Sequence, residues 1–437
     1  MADTIPSLFA RQAAAQTDAT LFLVKRNGAY QPITWRQAQE DIAALSAFLL
    51  DRQINPGDRI LLLSENRPEW GLGDIAIQSV GAWSVPVYPS LTAQDLRLIC
   101  ADCQPALCVV SNAEQSHKLL QVMAGVPAIQ AVIVMDDPAS RDPRLLSWSE
   151  AVARGRAMRQ TLQGLLEHRL RDLRPTDTAT LIYTSGTTGE PKGVMLSHQN
   201  FLSNVEGCLK VIPIRGNDTH LSFLPLSHVF ERMAGWYLML SIGATIAYAE
   251  SMDTVPQNMA EVRPTIMLGV PRFFEKLHGR IQEALRQAPP SKRRIIHWAL
   301  GVGRAVMARR VAGKTLALPL ALQRWVADRL VFKKFREKLG GRLRFFVSGS
   351  APLSKEIGEF FYSVGVTILE GYGLTETSPV IAVNRLPAPR FGSVGQPITG
   401  VEVWIADAGE ILTRGPHVMQ GYYRDPETGL RMKIKPD

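Results

Sequence analysis

Residues 183–194 read Tyr183-Thr184-Ser185-Gly186-Thr187-Thr188-Gly189-Glu190-Pro191-Lys192-Gly193-Val194 and follow the β-prone run Thr180–Thr184. Glycines at three positions allow close approach of backbone to a ligand, and Thr184, Ser185, Thr187 and Thr188 supply hydroxyls. One lysine, Lys192, adds a cation. A strand leading into such a loop suits a polyphosphate, which backbone N–H groups, hydroxyls and one ammonium can surround. The order Glu190-Pro191-Lys192-Gly193 lacks the Gly-Lys-Ser/Thr step of the common nucleotide-triphosphatase loop, so the framework is a different one. The plainer reading of a Ser/Thr/Gly cluster is a solvated surface loop.

Working outward, short β-prone runs alternate with helical patterns through most of the 437 residues. They are 59–63, 84–88, 107–110, 131–135, 181–184, 220–224, 245–248, 265–268, 343–347 and 366–369. This alternation predicts an α/β fold with mostly parallel, helix-covered sheets and ligand loops at strand C-termini. Chain length calls for more than one packed unit. The expected division is a first α/β subdomain over 1–175, a second over 176–379 carrying the phosphate-type loop, and a β-rich subdomain over 380–437, where Pro/Gly turns become frequent.

The composition, 46% hydrophobic and 20% charged, is that of a globular protein. Residues 1–21 lack the basic start and apolar block of a secretory signal, and the apolar stretch 233–249 is too short and too interrupted to span a bilayer. A cytoplasmic location is expected. Four cysteines do not make a disulfide scaffold; Cys100 and Cys103 have zinc-like spacing but no matching second pair, so reduced structural thiols are expected.

Charge is concentrated. Between Lys292 and Arg344 fifteen Lys/Arg face only Asp328 and Glu337, a local excess of thirteen that exceeds the chain's net +9. Apolar residues recur there at helical spacing, which predicts a basic helical insertion over 280–344. Its cationic face is either simply solvated or suited to peripheral contact with an anionic membrane, at the inner face for a cytoplasmic protein. Nucleic acid is not expected, because no recognised nucleic-acid motif accompanies the basic residues.

A second constellation, Glu370-Gly371-Tyr372-Gly373-Leu374-Thr375-Glu376-Thr377, follows another apolar strand. It puts an aromatic face suited to stacking, a hydroxyl suited to phosphate and a carboxylate suited to magnesium on one tight loop. Together with 183–194 it resembles the adenylate-forming family of AMP-producing acyl-CoA synthetases, luciferases and nonribosomal-peptide adenylation domains. Further stretches match: 224–231 (Leu-Pro-Leu-Ser-His-Val-Phe-Glu), 347–353 (Val-Ser-Gly-Ser-Ala-Pro-Leu) and 409–423. The segment 262–272 and the basic insertion after it are most similar to long-chain fatty acyl-CoA synthetases.

The resemblance implies the large N-terminal domain of that fold, ATP-dependent activation of a fatty acid to acyl-AMP, and transfer to coenzyme A with release of AMP and pyrophosphate. Transfer to a carrier-protein thiol, or a non-catalytic nucleotide- or lipid-binding module, remains as an alternative. It further implies that Ser185, Gly186, Thr187, Thr188, Gly189 and Lys192 grip the β- and γ-phosphates. Thr375 would contact the α-phosphate, and Mg2+ would be held by Glu376 and Thr184. Gly349, Ser350, Ala351, Glu370, Gly371, Tyr372 and Gly373 would frame the adenosine. His228, which as an isolated histidine would more often be structural, would by the resemblance lie near the reacting carboxylate. No aspartate stands between Leu221 and Arg232 to hold a substrate ammonium, which disfavours an amino acid. Phe230, Met233, Trp236, Met267 and Leu268 are candidates to line an acyl tunnel. Family members continue beyond the position of Asp437 into a mobile lid, so the expectation is a chain lacking that lid and turning over weakly.

Overall fold

A computed structural model describes residues 4–138, 140–185, 191–387 and 389–423, with the side chain of Ser185 outside the description. Two mostly parallel sheets dominate, as the alternation of strands and helices predicts. Every β-prone run named above overlaps a strand. The first sheet runs, in spatial order, 421–422, 191–197, 178–185, 83–87, 59–63, 107–110, 131–134, 145–147. The second runs 396–397, 380–383, 367–373, 345–348, 266–269, 219–222, 245–248, 20–26, 29–34.

Burial on both faces explains why these strands are short apolar runs rather than alternating ones. In Arg59–Leu63, Ile60 and Leu62 enter the largest core cluster while Leu61 and Leu63 enter a second, on the outer face of the first sheet. In the second sheet Ile266, Leu268, Phe345 and Val347 join the same large cluster, and Met267, Phe346 and Ile368 join a third. The large cluster therefore fills the space between the sheets. Helices pack into it with their starts fixed by side chains: the Thr34 hydroxyl accepts from Gln37 N–H at 3.2 Å, and Gln37 Oε1 accepts in return from Thr34 N–H at 2.9 Å.

The sheets do not follow the expected division at residue 175. Thr20–Arg26 pairs in parallel with Thr245–Tyr248 (Phe22 opposite Ile246), so the N-terminal hairpin belongs to the second sheet. Conversely Thr178–Ser185 and Pro191–Ser197 belong to the first. The region from 380 is divided as well. Val380–Val383 and Gln396–Pro397 extend the second sheet, Gly421–Tyr422 caps the first, and among the described residues only Glu402–Ile405 with Ile411–Arg414 forms a separate hairpin. Hydrophobic pattern reports that a strand exists and says nothing of its partner.

The basic insertion folds as four helices on the outer face of the second sheet: α1 (Pro271–Arg286), α2 (Pro290–Val311), α3 (Leu318–Ala327) and α4 (Lys333–Lys338). Among the described residues no helix is long and apolar enough to cross a membrane. All four cysteines are buried and unpaired, and burial pushes the Cys100 thiol up to about 12.

Candidate active site

The two sequence constellations meet at the C-terminal ends of the strands. One cavity of about 320 Å³ is lined by Thr184, His228, Gly349, Ser350, Gly371, Tyr372, Gly373, Thr375 and Glu376 at its polar end. Phe230, Met233, Ala234, Leu238, Met239 and Leu268 line its apolar end. Of the proposed tunnel residues, Trp236 and Met267 lie elsewhere: Trp236 stacks on Phe22 at 5.5 Å, and Met267 faces the insertion. Gly186, Thr187, Thr188 and Gly189 lie outside the described residues, and Ser185 is described only as the end of its strand.

Lys192 does not line the cavity, yet it is tied to it. The antiparallel hairpin sets Lys192 opposite Thr184, which places the two side chains on one face. Lys192 Nζ sits 5.5 Å from the ring centre of Tyr422, and Tyr422 Oη donates to Glu376 Oε1 at 3.0 Å. Burial, with the hydrogen bond to Glu376 next, pushes the Tyr422 phenol up to about 12, so it remains a donor. A cation, an aromatic hydroxyl and a carboxylate thus connect the two loops.

The loop bearing Glu376 is held rigidly. Thr377 Oγ1 donates to the Pro379 carbonyl at 2.6 Å and accepts from Leu374 N–H at 3.0 Å, closing a tight turn over Thr375–Thr377. Asn204 clamps the next residue, donating to Val380 O at 2.7 Å and accepting from Val380 N–H at 3.2 Å. At Gly373 a Cβ would come within 1.8 Å of the Pro379 carbonyl oxygen, so only glycine fits this crossing. Glu370 and Ala351 are absent from the cavity wall. The Glu370 carboxylate is instead 6% exposed and accepts from Leu353 N–H at 2.9 Å, bracing the 349–353 loop, and burial raises its pKa.

His228 Nδ1 accepts the Phe230 N–H at 3.1 Å. That bond assigns the ring proton to Nε2 in the neutral imidazole, making His228 a donor at that atom. Burial holds its pKa below 6.5, against an opposing pull from Glu231, so the ring is neutral at pH 7.

What sequence reading missed is the polar framework behind these groups. Asn66 accepts from Leu226 N–H at 2.9 Å and donates to Leu224 O at 2.6 Å and Ser222 Oγ at 2.9 Å, fixing the segment that carries His228. Behind it Arg232, fully buried, pairs with the equally buried Asp74. Arg232 also donates to Thr180 Oγ1 and Ser84 Oγ of the first sheet, each at 2.6 Å, and to Tyr237 Oη at 2.9 Å. Tyr237 Oη donates in turn to Asp74 Oδ2 at 2.6 Å. Two signals were present: Asp74 and Gln78 stand four apart in the largely apolar helix Pro68–Ser79, and Arg232 borders the apolar stretch that begins at Met233.

Comparison with known proteins settles the family. The pattern of the family described as AMP-binding enzyme matches residues 9–423. The chain belongs to the AMP-binding enzymes. It is 33% identical over 432 residues to the long-chain-fatty-acid–CoA ligase FadD15 of Mycobacterium bovis, covering 97% of this chain and 69% of that protein. It is also 33% identical to the peroxisomal long chain acyl-CoA synthetase 6 of Arabidopsis thaliana, covering 91% of this chain and 57% of that protein. Among solved structures the anthranilate CoA ligase AuaEII, bound to anthranoyl-AMP, superposes with a TM-score of 0.75 at 18% identity, covering 98% of this chain and 72% of that one. The N-terminal domain of FACL13 from Mycobacterium tuberculosis superposes at 0.66 and 18% identity, covering 98% and 92%. At that identity the likeness concerns fold.

Proposed function

We propose that this AMP-binding enzyme activates a long-chain fatty carboxylate with ATP and passes the acyl group to coenzyme A. The observation that carries the reading is a single cavity with a hydroxyl, carboxylate and tyrosine end continuous with a methionine- and leucine-lined end. An anionic nucleotide and an apolar chain can meet there. The relatives named as long-chain fatty acid ligases support the substrate class.

In the first step a carboxylate oxygen attacks the α-phosphorus and the bond to pyrophosphate breaks, giving acyl-AMP. In the second the thiolate sulfur attacks the acyl carbon and AMP leaves. Two anions must be brought together, so the site's task is charge neutralisation and alignment. Lys192 is assigned to the β- and γ-phosphate charge, Thr375 to the α-phosphate, and Tyr372 with Gly349–Ser350 and Gly371 to the adenine. Neutral His228 donates from Nε2 to the carboxylate, orienting it without becoming a competing base. No group of three His, Cys, Asp or Glu suited to a metal occurs among the described residues. A magnesium ion would therefore take Glu376 and the Thr184 hydroxyl, with phosphate oxygens and water as its other ligands, and would supply further neutralisation. That sparse protein donor set fits magnesium, which keeps most of its water.

The exposed Trp298, Leu318, Leu322 and Trp325 of the insertion, set among its cations, support peripheral contact with anionic membrane. Vesicle sedimentation that ignores anionic lipid content would refute that part. For the reaction itself, calorimetry with acyl-sulfamoyl-adenosines from two to eighteen carbons is the test. Affinity is expected to rise about fourfold for each methylene that enters the cavity, from about 0.8 kcal/mol per buried CH₂. Equal affinity for two- and sixteen-carbon analogues, or preference for an aminoacyl analogue, would overturn the reading.

A further inference from the structure

On the outer face of the second sheet, the insertion encloses a larger cavity, of about 950 Å³, between α1, α2 and the chain around α4. It shares no lining residue with the candidate active site. The sheet itself separates them: Ile266, Leu268, Phe345 and Val347 turn toward the core between the sheets, whereas Met267 and Phe346 turn toward the insertion. A chain held here is therefore not the chain held beside His228.

The lining is amphipathic in a regular way. Along α1, Phe273, Leu277 and Ile281 form one stripe and Arg272, Lys276 and Arg280 form the neighbouring one, each at four-residue spacing. On α4, Lys334 and Lys338 flank Phe335, and Lys292 comes from α2. Ile296, Leu300 and Phe360 complete the apolar wall. All six cations are exposed, at the rim, and none makes an ion pair with a described residue. Of the carboxylates on these helices, Glu283 pairs with Arg286, Glu337 with Lys333 and Asp328 with Arg336, while Glu275 of α1 is exposed and makes no ion pair with a described residue. Asp253 is the one carboxylate among the described lining residues.

We propose that this cavity is a second ligand site, which takes one long-chain carboxylate with its chain along the apolar wall and its anionic head among the rim cations. Six unmatched positive charges around an apolar hollow call for an anion attached to hydrocarbon. Because the cations are confined to the rim, a head group stays in the wet mouth while only the chain is buried. The exposed Leu318, Leu322 and Trp325 of α3 are not part of the lining, so a bilayer surface and this site engage different residues. The choice of a fatty carboxylate over another anionic amphiphile rests on the function proposed above; the existence of the site does not.

Photolabelling of the purified chain with a diazirine-bearing long-chain carboxylate, mapped by peptide mass spectrometry, tests it. Label is expected in peptides from 271–300 or 328–339, in addition to any in 208–239, and excess unlabelled carboxylate competes it away. Ala284, an exposed lining residue of α1, offers a gentle block. Ala284→Trp is expected to cut the insertion label about tenfold and leave the 208–239 label unchanged. Combined Lys276→Ala, Arg280→Ala and Lys334→Ala is expected to weaken it similarly, and the methyl ester to label poorly. Label confined to 208–239, label indifferent to Ala284→Trp, or equal labelling by the ester would overturn the proposal. So would displacement by two-chain anionic phospholipid vesicles but not by monomeric carboxylate. Loss of the 208–239 label alone would count against the catalytic reading while supporting this one.

Discussion

Asp74→Ala removes the carboxylate that neutralises Arg232 where both side chains are fully buried. The guanidinium keeps neutral partners in Thr180, Ser84 and Tyr237, but its charge is left without a counterion; the Tyr237 hydroxyl loses its acceptor, and the Gln78 amide loses one of its two. Breaking a buried pair from one side costs about 3–5 kcal/mol. Arg232→Met, leaving a buried carboxylate with only the neutral donors Tyr237 and Gln78, is expected to cost a similar amount. Combining Arg232→Met with Asp74→Ala removes both charges, so the double variant is expected to lose no more than about the same 3–5 kcal/mol, well short of the summed singles. The residual cost reflects the Tyr237 hydroxyl losing its acceptor and the Thr180 and Ser84 oxygens losing the guanidinium donor. Urea unfolding followed by tryptophan fluorescence reads all three, helped by Trp70, whose ring centre lies 5.4 Å from the guanidinium carbon. A loss below about 1 kcal/mol for Asp74→Ala, or additivity within about 0.5 kcal/mol in the cycle, would refute the assignment of these two residues as a coupled buried ion pair.

Gly373→Ala must displace the Pro379 carbonyl and is expected to cost about 1–3 kcal/mol and to weaken ATP binding; unchanged unfolding and affinity would contradict the packing described. Because burial lowers the His228 pKa, the activity it supports is present above that value and is lost as pH falls through it. The corresponding acid limb should lie below pH 6.5 and vanish in His228→Gln; a limb above 7 that vanishes with it would exclude the neutral-donor role. His198 is buried, accepts from Ile5 N–H at 3.3 Å, and is held down to about 3 by burial and then by Arg232. Its unfolded form binds a proton near pH 6.5 while the folded form does not, so stability falls as pH drops through that window, by about 1.4 kcal/mol per unit. Wild-type protein should therefore lose about 2 kcal/mol more than His198→Asn between pH 6.5 and 5, and parallel pH profiles would disprove it.

The features that were legible are those written contiguously. Thr184 with Lys192, and Tyr372 with Thr375 and Glu376, lie in single short stretches whose residue types declare their chemistry. The central strands were legible because burial on both faces leaves uninterrupted apolar runs such as Leu107–Val110. Strand Ala29–Thr34 was not: it is an edge strand, largely exposed, with Pro32 within it, so no face stands out. Asn66 and Asp74 act through partners about 160 residues away, and a lone polar residue carries no mark of whom it will meet. Glu370, which the resemblance places at the adenosine, instead commits its carboxylate to Leu353 N–H.

The exchange of strands between the sheets has a consequence for how the chain comes into being. Leu23 emerges from the ribosome early and pairs with Ala247, about 220 residues later. At 5–20 residues per second the N-terminal hairpin waits roughly ten to forty-five seconds for the strand that receives it. During that interval Phe22, fully buried at the end, lacks the Trp236 and Tyr248 rings that finally pack against it. The nascent chain thus carries a pairing-ready edge until the strand around Ala247 has been made, and a fragment ending near residue 175 would keep that edge for good.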